Sequence, residues 1–432
     1  MSDNTPVATT NPYASRKAAY YTLIILTLVY SVNFIDRQLL AILQESIKAE
    51  LELSDAQLGL LTGFAFAVFY VTAGLPIASW ADRGNRRNIV ALSLGIWSFM
   101  TAVSGLAHNY WQLLVARIGV GVGEAGGSPP SHSMISDIFP PESRASAIGF
   151  YSTGISIGIL FGFLFGGWLN EFFGWRTAFL VVGIPGVLFA VVLRLTVAEP
   201  IRGLNEARQV SEGNHSMLEV FQLLCSRKSF RFMAIGAALN SFGGYSVANW
   251  IASFMIRSYD MSTGELGTWL SMIIGVGGAI GVFGSGIIAD RMGRKDKRWY
   301  VFVPAIASFI SVPLNVGVFL ATGSYWSLAF LIIPATLSNV YVGTTIATVH
   351  GLVGLKMRAL ASAVLFLILN IVGLGTGPSS VGLLSDFLSA DFGAESLRYA
   401  LLALVPLALT LSGLCYFMAG RYVREDLVQA PD

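Results

Sequence analysis

Long apolar stretches separated by short polar segments make up most of this chain. About 20 consecutive apolar residues are needed to cross a bilayer as a helix, and this rule predicts twelve membrane-spanning helices. Their predicted limits are 19–44, 56–80, 88–107, 111–136, 145–170, 177–197, 230–257, 265–289, 299–321, 325–350, 358–386 and 397–420. The pattern therefore predicts an all-α integral membrane protein.

The only long polar connection, at about residues 198–229, divides the twelve spans into six and six. Ser216 and Glu219 have the spacing of a capping box ahead of an apolar run, which predicts a short surface helix in this connection. The predicted organisation is a cytoplasmic tail (1–18), an N-terminal six-helix bundle (19–197), a linker (198–229), a C-terminal six-helix bundle (230–420) and a second tail (421–432).

The two halves repeat each other in sequence. Similar short segments occur in the same order in both halves, with offsets of 208, 214 and 222 positions; the pairs begin at Ala81 and Ala289, Arg144 and Arg358, and Arg176 and Arg398. Two related six-helix bundles about an axis along the membrane normal are typical of alternating-access carriers. We therefore predict two pseudo-symmetric bundles.

Composition agrees with a membrane protein, and the charges predict its orientation. The chain has 432 residues, 54% of them hydrophobic and 12% charged, with a mean hydropathy of +0.66. Of the 27 Lys and Arg residues, two lie inside spans, four on the predicted outer side and the other 21 on the inner side if both termini are cytoplasmic. This asymmetry follows the positive-inside rule and predicts a multi-pass cell-membrane protein with both termini in the cytoplasm.

Four charged residues lie deep within predicted spans: Asp36 and Arg37 in the first, and Arg117 and Glu124 in the fourth. An unpaired charge at the bilayer centre costs roughly 2.5–3.5 kcal/mol on the insertion scale, so such residues mark function. Arg117 and Glu124 are separated by two helical turns, about 10.5 Å, and both could face one cavity if each has a partner on another helix. Adjacent Asp36 and Arg37 point about 100° apart, so we expect them to face different neighbours.

We predict that Arg37 pairs with Glu124, and that Asp36 or Glu124 gains and loses a proton during transport. Desolvation opposes ionisation of a buried carboxyl and a nearby arginine favours it, so movement of the partner changes its protonation. The alternative is a permanently ionised network that only holds the first and fourth helices together. The sequence leaves both open.

Two sets of motifs carry a family resemblance. The segment 286–295 resembles the signature loop of the major facilitator superfamily, although the first copy has Gly84 one place early and Asn85 in the usual glycine position. Segments 33–37 and 117–125 resemble the Spinster-like branch. That branch is associated with sphingosine-1-phosphate export and lysophospholipid movement in animals, and it has many bacterial members. The resemblance implies the major facilitator fold, without implying the substrate, and suggests a bacterial inner membrane.

The resemblance also implies that helices 1, 4, 7 and 10 line a central cavity. An anionic or zwitterionic head would then bind near the arginines, while an apolar tail follows the less charged wall of the C-terminal half. The alternative is that these polar groups only join neighbouring helices. The predicted substrate-binding residues are Arg37, Arg117, Asn33, Tyr245, Asn249, Asn339, Tyr341, Thr345 and Asn370.

The signature loops predict a latch at the cytoplasmic face. Asp82 and Asp290 can accept bonds from arginines or from a neighbouring helix N-terminus, which would close that face. The alternative is that the basic residues are only positive-inside anchors. The predicted gating residues are Asp82, Arg83, Arg86, Arg87, Arg144, Asp290, Arg291, Gly293 and Arg294. The resemblance also implies that helices 2, 5, 8 and 11 form the seam between the halves. Glycine repeats at Gly59 and Gly63, at 154–166, and at Gly277 and Gly281 would then give this seam smooth faces that permit rocking, and ordinary tight packing is the alternative.

These features favour a secondary active transporter of a small amphipathic or anionic solute, such as a lysolipid or sphingoid phosphate, that moves by alternating access and is coupled to protons. An uncoupled facilitative carrier of organic anions or drug-like amphiphiles, and a membrane channel, are the alternatives. We expect no enzyme, because no nucleophile converges with a base, and neither a cofactor nor a metal. The expected partners are the substrate, protons and the bilayer, without nucleic acid, and we expect a monomer.

Overall fold

The computed structural model describes residues 13, 15–203, 216–354 and 357–429, except for the side chain of Asp290. These residues form the predicted all-α fold of twelve spans in two bundles. By length and composition, seven helical segments are apolar enough to cross a membrane, and two of them, Pro141–Thr196 and Arg358–Val428, each contain two spans. Three further helices, the third, fourth and seventh, complete the twelve.

The N-terminal bundle contains α1 to α6. These are α1 (Arg16–Leu51), α2 (Asp55–Arg83), α3 (Arg86–Ser104), α4 (Tyr110–Glu124 continued by Ser128–Ile138), α5 (141–173) and α6 (175–196). Polar N-caps set three of the starts: the side chains of Ser54, Asn85 and Asn109 each accept a hydrogen bond from a backbone N–H three residues on. Gly174 separates α5 from α6, since its φ of 79° lies in the left-handed region that favours glycine.

The C-terminal bundle contains α7 to α12. These are α7 (Lys228–Tyr259), α8 (Thr263–Gly293), α9 (Trp299–Leu320), α10 (Ser324–Leu337 continued by Val340–Gly351), α11 (358–392) and α12 (Ser396–Val428). The linker helix (Met217–Ser226) precedes α7. Its predicted capping box is confirmed: Ser216 accepts from the N–H of Glu219, whose carboxylate accepts from the N–H of Ser216.

Equivalent helices pack alike in the two bundles. In the first, α1 packs along α5 and α3 along α6; in the second, α7 packs along α11 and α9 along α12. The bundles meet through α2 against α11, α5 against α8, and α1 against α7. Because the number of antiparallel spans is even, both chain termini lie at the same end of the molecule. We call this the terminal end and the opposite one the far end.

Wide π-type turns interrupt three helices that meet across the seam, at Leu60–Phe64 in α2, Ser271–Val276 in α8 and Leu369–Thr376 in α11. Such turns occur often at functional sites. Gly377 and Pro378 directly follow the wide turn of α11, where regular α-helix resumes. Ser379 bridges the seam here, because its Oγ donates to the Gly59 carbonyl and accepts from the N–H of Phe64.

The glycine repeats have different partners from those predicted. A Cβ at Gly59 would lie 2.6 Å from the carbonyl oxygen of Pro378, so this glycine does permit close contact between the bundles. The α5 glycines at 154–166 instead pack on α1 of their own bundle, and Gly277 and Gly281 pack on α10 of theirs. The prediction was wrong for these two sets because a small-residue face does not indicate which neighbour it contacts.

Candidate transport site

The predicted pair is present in the middle of the N-terminal bundle. Arg37 Nε on α1 donates to Glu124 Oε2 on α4 at 2.8 Å. Glu124 is 2% exposed, so the pair lies in a low-dielectric setting where each charge depends on the other.

A second ion pair joins the same two helices. Arg117 Nη1 on α4 lies 3.0 Å from Asp36 Oδ2 on α1, and both residues are at most 2% exposed. The other carboxylate oxygen, Asp36 Oδ1, lies 2.6 Å from the hydroxyl of Thr101 on α3. Asp36 is thus enclosed by three helices.

Both acid–arginine pairs connect α1 to α4, although we expected Asp36 and Arg37 to face different neighbours. The side chains do diverge: Asp36 points toward α3 and α4, while Arg37 points toward the cavity. The prediction was wrong because an arginine side chain spans several ångströms. Arg37 therefore reaches Glu124, and Arg117 reaches back to Asp36.

A central cavity of about 470 Å³ lies between the bundles and beside these pairs. Arg37 and Arg117 line it from the N-terminal bundle, and Tyr245 and Asn249 line it from α7. Asp36 and Glu124 do not line it, so the cations face the cavity and the acids lie behind them. This layering was not predicted.

Aromatic rings surround the two guanidinium groups. The Arg37 guanidinium lies 4.9 Å from the Phe66 ring centre and 5.2 Å from those of Phe34 and Tyr70. Arg117 lies 5.6 Å from the same Phe66 ring. Phe66 therefore stands between the arginines and attracts both guanidinium groups by cation–π interaction, in addition to their ion pairs.

Each ion pair leaves one buried polar atom without a partner. Glu124 Oε1 and Arg117 Nε are buried and make no hydrogen bond. Most buried polar atoms in folded proteins are bonded, so such exceptions call for an explanation. Glu124 Oε1 can accept one more hydrogen bond, and Arg117 Nε can donate one.

The structure brings only some of the predicted binding residues to this cavity. Arg37, Arg117, Tyr245 and Asn249 line it. The other five do not. Asn33 is buried in α1, and Tyr341 is packed in the C-terminal core. The Thr345 hydroxyl bonds Tyr416, Asn339 is exposed at the break in α10, and Asn370 lies in the wide turn of α11. Helical spacing places such residues on one face of a helix, but it does not indicate whether that face meets the other bundle.

A second cavity, of about 560 Å³, lies inside the C-terminal bundle. Apolar side chains of α7, α8, α10 and α12 form most of its wall, and Ala248 of α7 lines both cavities. Its polar residues include Asn315, whose Oδ1 is buried without a hydrogen-bond partner.

A charged cluster that was not predicted ties the bundles together at the far end. Arg257 of α7 binds Glu45 of α1 at 2.7 Å and Asp55 of α2 at 2.6 Å. Ser385 of α11 donates to Asp55 at 2.6 Å, and Asp386 accepts from the N–H groups of Asp55 and Ala56. The sequence did carry a signal for this cluster, because Arg257 is one of only four cations on the predicted outer side. In the structure all four form ion pairs.

Other contacts between the bundles also lie toward the far end or at mid-depth. Gln44 Nε2 donates to the carbonyl of Asn249 at 2.8 Å, on the far side of the central cavity. Glu171 and Asn170 of α5 bond Gly264 and Thr263 at the start of α8. Two further hydrogen bonds join α5 to α8 in the same region: Trp168 donates to the hydroxyl of Thr268, and the Gly167 carbonyl accepts from Thr263.

The signature loops at the terminal end are fastened within their own bundles. Arg202 at the start of the linker donates to the carbonyls of Ala81, Asp82 and Gly84, while the side chain of Asp82 is exposed. In the second loop, the backbone N–H of Arg298 and the guanidinium groups of Arg424 and Arg298 lower the pKa of Asp296 to about 2. Asp82 therefore does not form the predicted latch to a partner helix in the described part of the chain, and the side chain of Asp290 lies outside it.

The remaining predicted gating residues have different surroundings. Arg86 is 1% exposed and binds Asp137 and Glu199. The backbone N–H of Arg87 also donates to Glu199, so both residues hold the linker to the N-terminal bundle. Arg144 has two buried nitrogens without partners in the described chain. Arg83, Arg291 and Arg294 are exposed, Gly293 is buried against Tyr300, and the side chain of Asp290 lies outside the described atoms.

Comparisons with known proteins agree with this architecture. Residues 26–378 match the model of the Major Facilitator Superfamily. The chain is 33% identical over 405 residues to an MFS-type efflux pump of Mycolicibacterium smegmatis, covering 94% of this chain and 93% of that protein. It is 24% identical to Protein spinster homolog 3 of Danio rerio, covering 98% and 89%.

A solved structure is also similar. It is a bacterial homologue of the human lysosomal transporter Spinster in an inward-facing and unoccupied conformation, with a TM-score of 0.87, 32% identity, and coverage of 95% of this chain and 99% of that chain.

The chain belongs to the Major Facilitator Superfamily. It is therefore a multi-pass membrane transporter of small solutes and not an enzyme. Within that superfamily it is a Spinster-like transporter.

Proposed function

We propose that this protein is a proton-coupled secondary transporter of an amphipathic anion, such as a lysolipid or a sphingoid phosphate. The observation that carries the proposal is the layering of the site, in which two arginines line the central cavity and their two acids lie directly behind. An anionic head would contact the arginines first, and it would affect the acids by changing the positions of the arginines that pair with them.

Proton coupling follows from competition for one guanidinium group. A head group that draws Arg37 into the cavity removes the partner of Glu124, and the vacated carboxylate is then a buried charge without compensation. Uptake of a proton on Glu124 removes that cost, and Asp36 responds in the same way to loss of Arg117. Anion binding is therefore accompanied by proton uptake and is favoured at lower pH.

The adjoining cavity supports an amphipathic solute. A head at Arg37 lies across the central cavity from Ala248, and beyond Ala248 the second cavity offers a mostly apolar wall to an acyl chain. Burial of apolar area there would add binding free energy of about 25 cal/mol per Å².

Alternating access would come from the N-terminal bundle (19–197) rocking against the C-terminal bundle (230–420). The far-end contacts support this reading, because they join the bundles on one side of the cavity only. With cytoplasmic termini, as the positive-inside rule indicates, this conformation is inward-facing in a bacterial inner membrane. All residues that line the central cavity belong to one chain, which supports a monomer as the transporting unit.

An uncoupled carrier of organic anions or drug-like amphiphiles is the second candidate. It is favoured by the buried ion pairs, which hold α1 to α4 even if their protonation never changes. The similarity to an efflux pump also supports drug-like amphiphiles.

The solute class can be tested by thermal unfolding of the purified protein with three matched probes at two pH values. Lysophosphatidate has a head and a tail, glycerol phosphate only the head, and monoacylglycerol only the tail. We expect lysophosphatidate to raise the unfolding temperature most, with a larger effect at the lower pH and a smaller one in Arg37→Gln. Equal stabilisation by glycerol phosphate would favour the organic-anion carrier, and stabilisation by monoacylglycerol alone would contradict a site for anions.

A further inference from the structure

Thr101 occupies an unusual position beside Asp36. Its hydroxyl lies 2.6 Å from Asp36 Oδ1 and 2.8 Å from the backbone carbonyl oxygen of Trp97, one turn earlier on α3. Thr101, Asp36 and Arg117 are each at most 2% exposed. A hydroxyl has one proton to donate, so it cannot fully serve two acceptors at once.

The two protonation states of Asp36 resolve this conflict differently. When Asp36 is ionised, Thr101 donates to Oδ1, and 2.6 Å is a normal length for a hydroxyl bonded to a carboxylate. When Oδ1 carries a proton, Asp36 donates to Thr101 Oγ1, and Thr101 turns its own proton to the Trp97 carbonyl. Both short contacts then contain a hydrogen atom, and neither state requires side-chain displacement.

We propose that Thr101 is a positioning residue for the proton on Asp36, accepting from Oδ1 when it is protonated and donating to it when it is ionised. This inference rests on the proposed function, because it assumes that Asp36 titrates. It assigns the proton to Oδ1, since Arg117 occupies Oδ2 at 3.0 Å.

The charged groups around Asp36 are few. Arg117 and Glu124 approach it from α4, and Arg37 is its neighbour on α1. The charged residues of α3 and α6 lie at the helix ends, at Arg86, Arg87, Arg176 and Arg194, and those of α2 lie at Asp55, Asp82 and Arg83. At this depth Thr101 is the polar partner that α3 supplies.

Removing the hydroxyl should change the pH at which Asp36 titrates. A hydrogen bond to a charged acceptor is worth more than one between neutral groups, so Thr101 favours the ionised form on balance. In Thr101→Val the midpoint should move up by about one pH unit. Thr101→Ser retains the hydroxyl and should restore it. Ser104→Ala is the matched control, because Ser104 is buried on the same helix and bonds only the Met100 carbonyl.

The experiment is an infrared pH titration of the full protein in detergent, which follows the protonated-carboxyl band without any substrate. The part of the band lost in Asp36→Asn belongs to Asp36. We expect its midpoint to rise in Thr101→Val and to stay at the wild-type value in Thr101→Ser and Ser104→Ala. An Asp36 band with an unchanged midpoint in Thr101→Val overturns this inference alone. Absence of any Asp36 band between about pH 4 and 9 also overturns this inference. It leaves proton coupling to be judged by proton uptake on anion binding, because the proposed uptake follows the loss of Arg117.

Discussion

The central pairs and the far-end cluster use the same residue types in different ways. Arg37 with Glu124, and Arg117 with Asp36, lie within the N-terminal bundle. Arg257 instead joins the C-terminal bundle to Glu45 and Asp55 of the N-terminal bundle. In the proposed rocking of the bundles as rigid bodies, pairs inside one bundle would remain and pairs between bundles would break. The first set is suited to respond to a proton or an anion, and the second to hold one conformation.

The acids of the two regions are equally buried, but they differ in how many partners they have. Asp36, Glu124 and Asp55 are all at most 2% exposed. Each central acid has one arginine, whereas Asp55 has Arg257, Lys48 and Ser385. Loss of one partner should therefore have a larger effect on folding in the centre, and a larger effect on conformation at the far end.

The largest expected effect comes from Arg117→Ala. It leaves Asp36 buried without a cation, which should lower the free energy of unfolding by about 3–5 kcal/mol. The deficit should shrink at low pH, where Asp36 can carry a proton. Thermal unfolding in detergent, with the double variant Asp36→Asn and Arg117→Gln as the rescue control, measures this. Wild-type stability in Arg117→Ala would contradict the dependence of Asp36 on Arg117.

Arg257→Ala should change conformation more than stability. Loss of its charge-assisted bonds across the bundles should favour opening of the far end by about 2 kcal/mol, roughly a 30-fold change in the equilibrium. Spin labels at His108→Cys and Asp391→Cys, with Cys225→Ser and Cys415→Ser, report the distance between the bundles. Arg176→Ala is the matched control, because Arg176 binds Glu50 within its own bundle. A similar change in both variants would show that the effect is not specific to bonds between bundles.

Gly59→Ala should act in the same direction but less strongly. Its Cβ would lie 2.6 Å from the Pro378 carbonyl oxygen across the seam, and overpacking of this kind costs about 1–3 kcal/mol. The same spin-label pair should show a longer mean distance. Gly74→Ala on the same helix is the control, since no atom lies within 4 Å of its Cβ position. An unchanged distance in Gly59→Ala would show that the seam adjusts without opening.

Lys48→Gln should have the smallest effect. Lys48 binds Asp55 within the N-terminal bundle and its side chain is 31% exposed, so its loss should cost less than about 1 kcal/mol. Asp55 retains Arg257 and Ser385. Neither the unfolding temperature nor the label distance should change appreciably. A large change in distance would show that Lys48, and not Arg257 alone, holds the far end closed.

Hydrophobic pattern and motif repeats were sufficient to predict the fold. Apolar runs of bilayer length identify the spans, and the order of Asp82, Arg144 and Arg176 with their later counterparts identifies the repeat. Burial of charge was sufficient to single out Asp36, Arg37, Arg117 and Glu124, since their cost in lipid is evident without coordinates.

The arrangement of the site was not predictable in the same way. Thr101 is an ordinary helix residue until the register of α3 against α1 brings it to Asp36. Thr345 and Tyr341 have the spacing of a polar face, but that face packs inside the C-terminal bundle. Helix rotation is set by packing among several neighbours, and a single periodicity does not specify which neighbour a face meets.

The central claim is that the acids behind Arg37 and Arg117 take up a proton when an anion binds. The most direct measurement is the proton count on adding lysophosphatidate to the purified protein in weakly buffered solution, in wild type, Glu124→Gln and Asp36→Asn. Subtracting the variants cancels protons exchanged by the head group itself. The account predicts a net uptake of about one proton per ligand in wild type that is lost in at least one variant. Equal ligand binding with the same proton count in all three proteins would contradict it and favour a permanently ionised network.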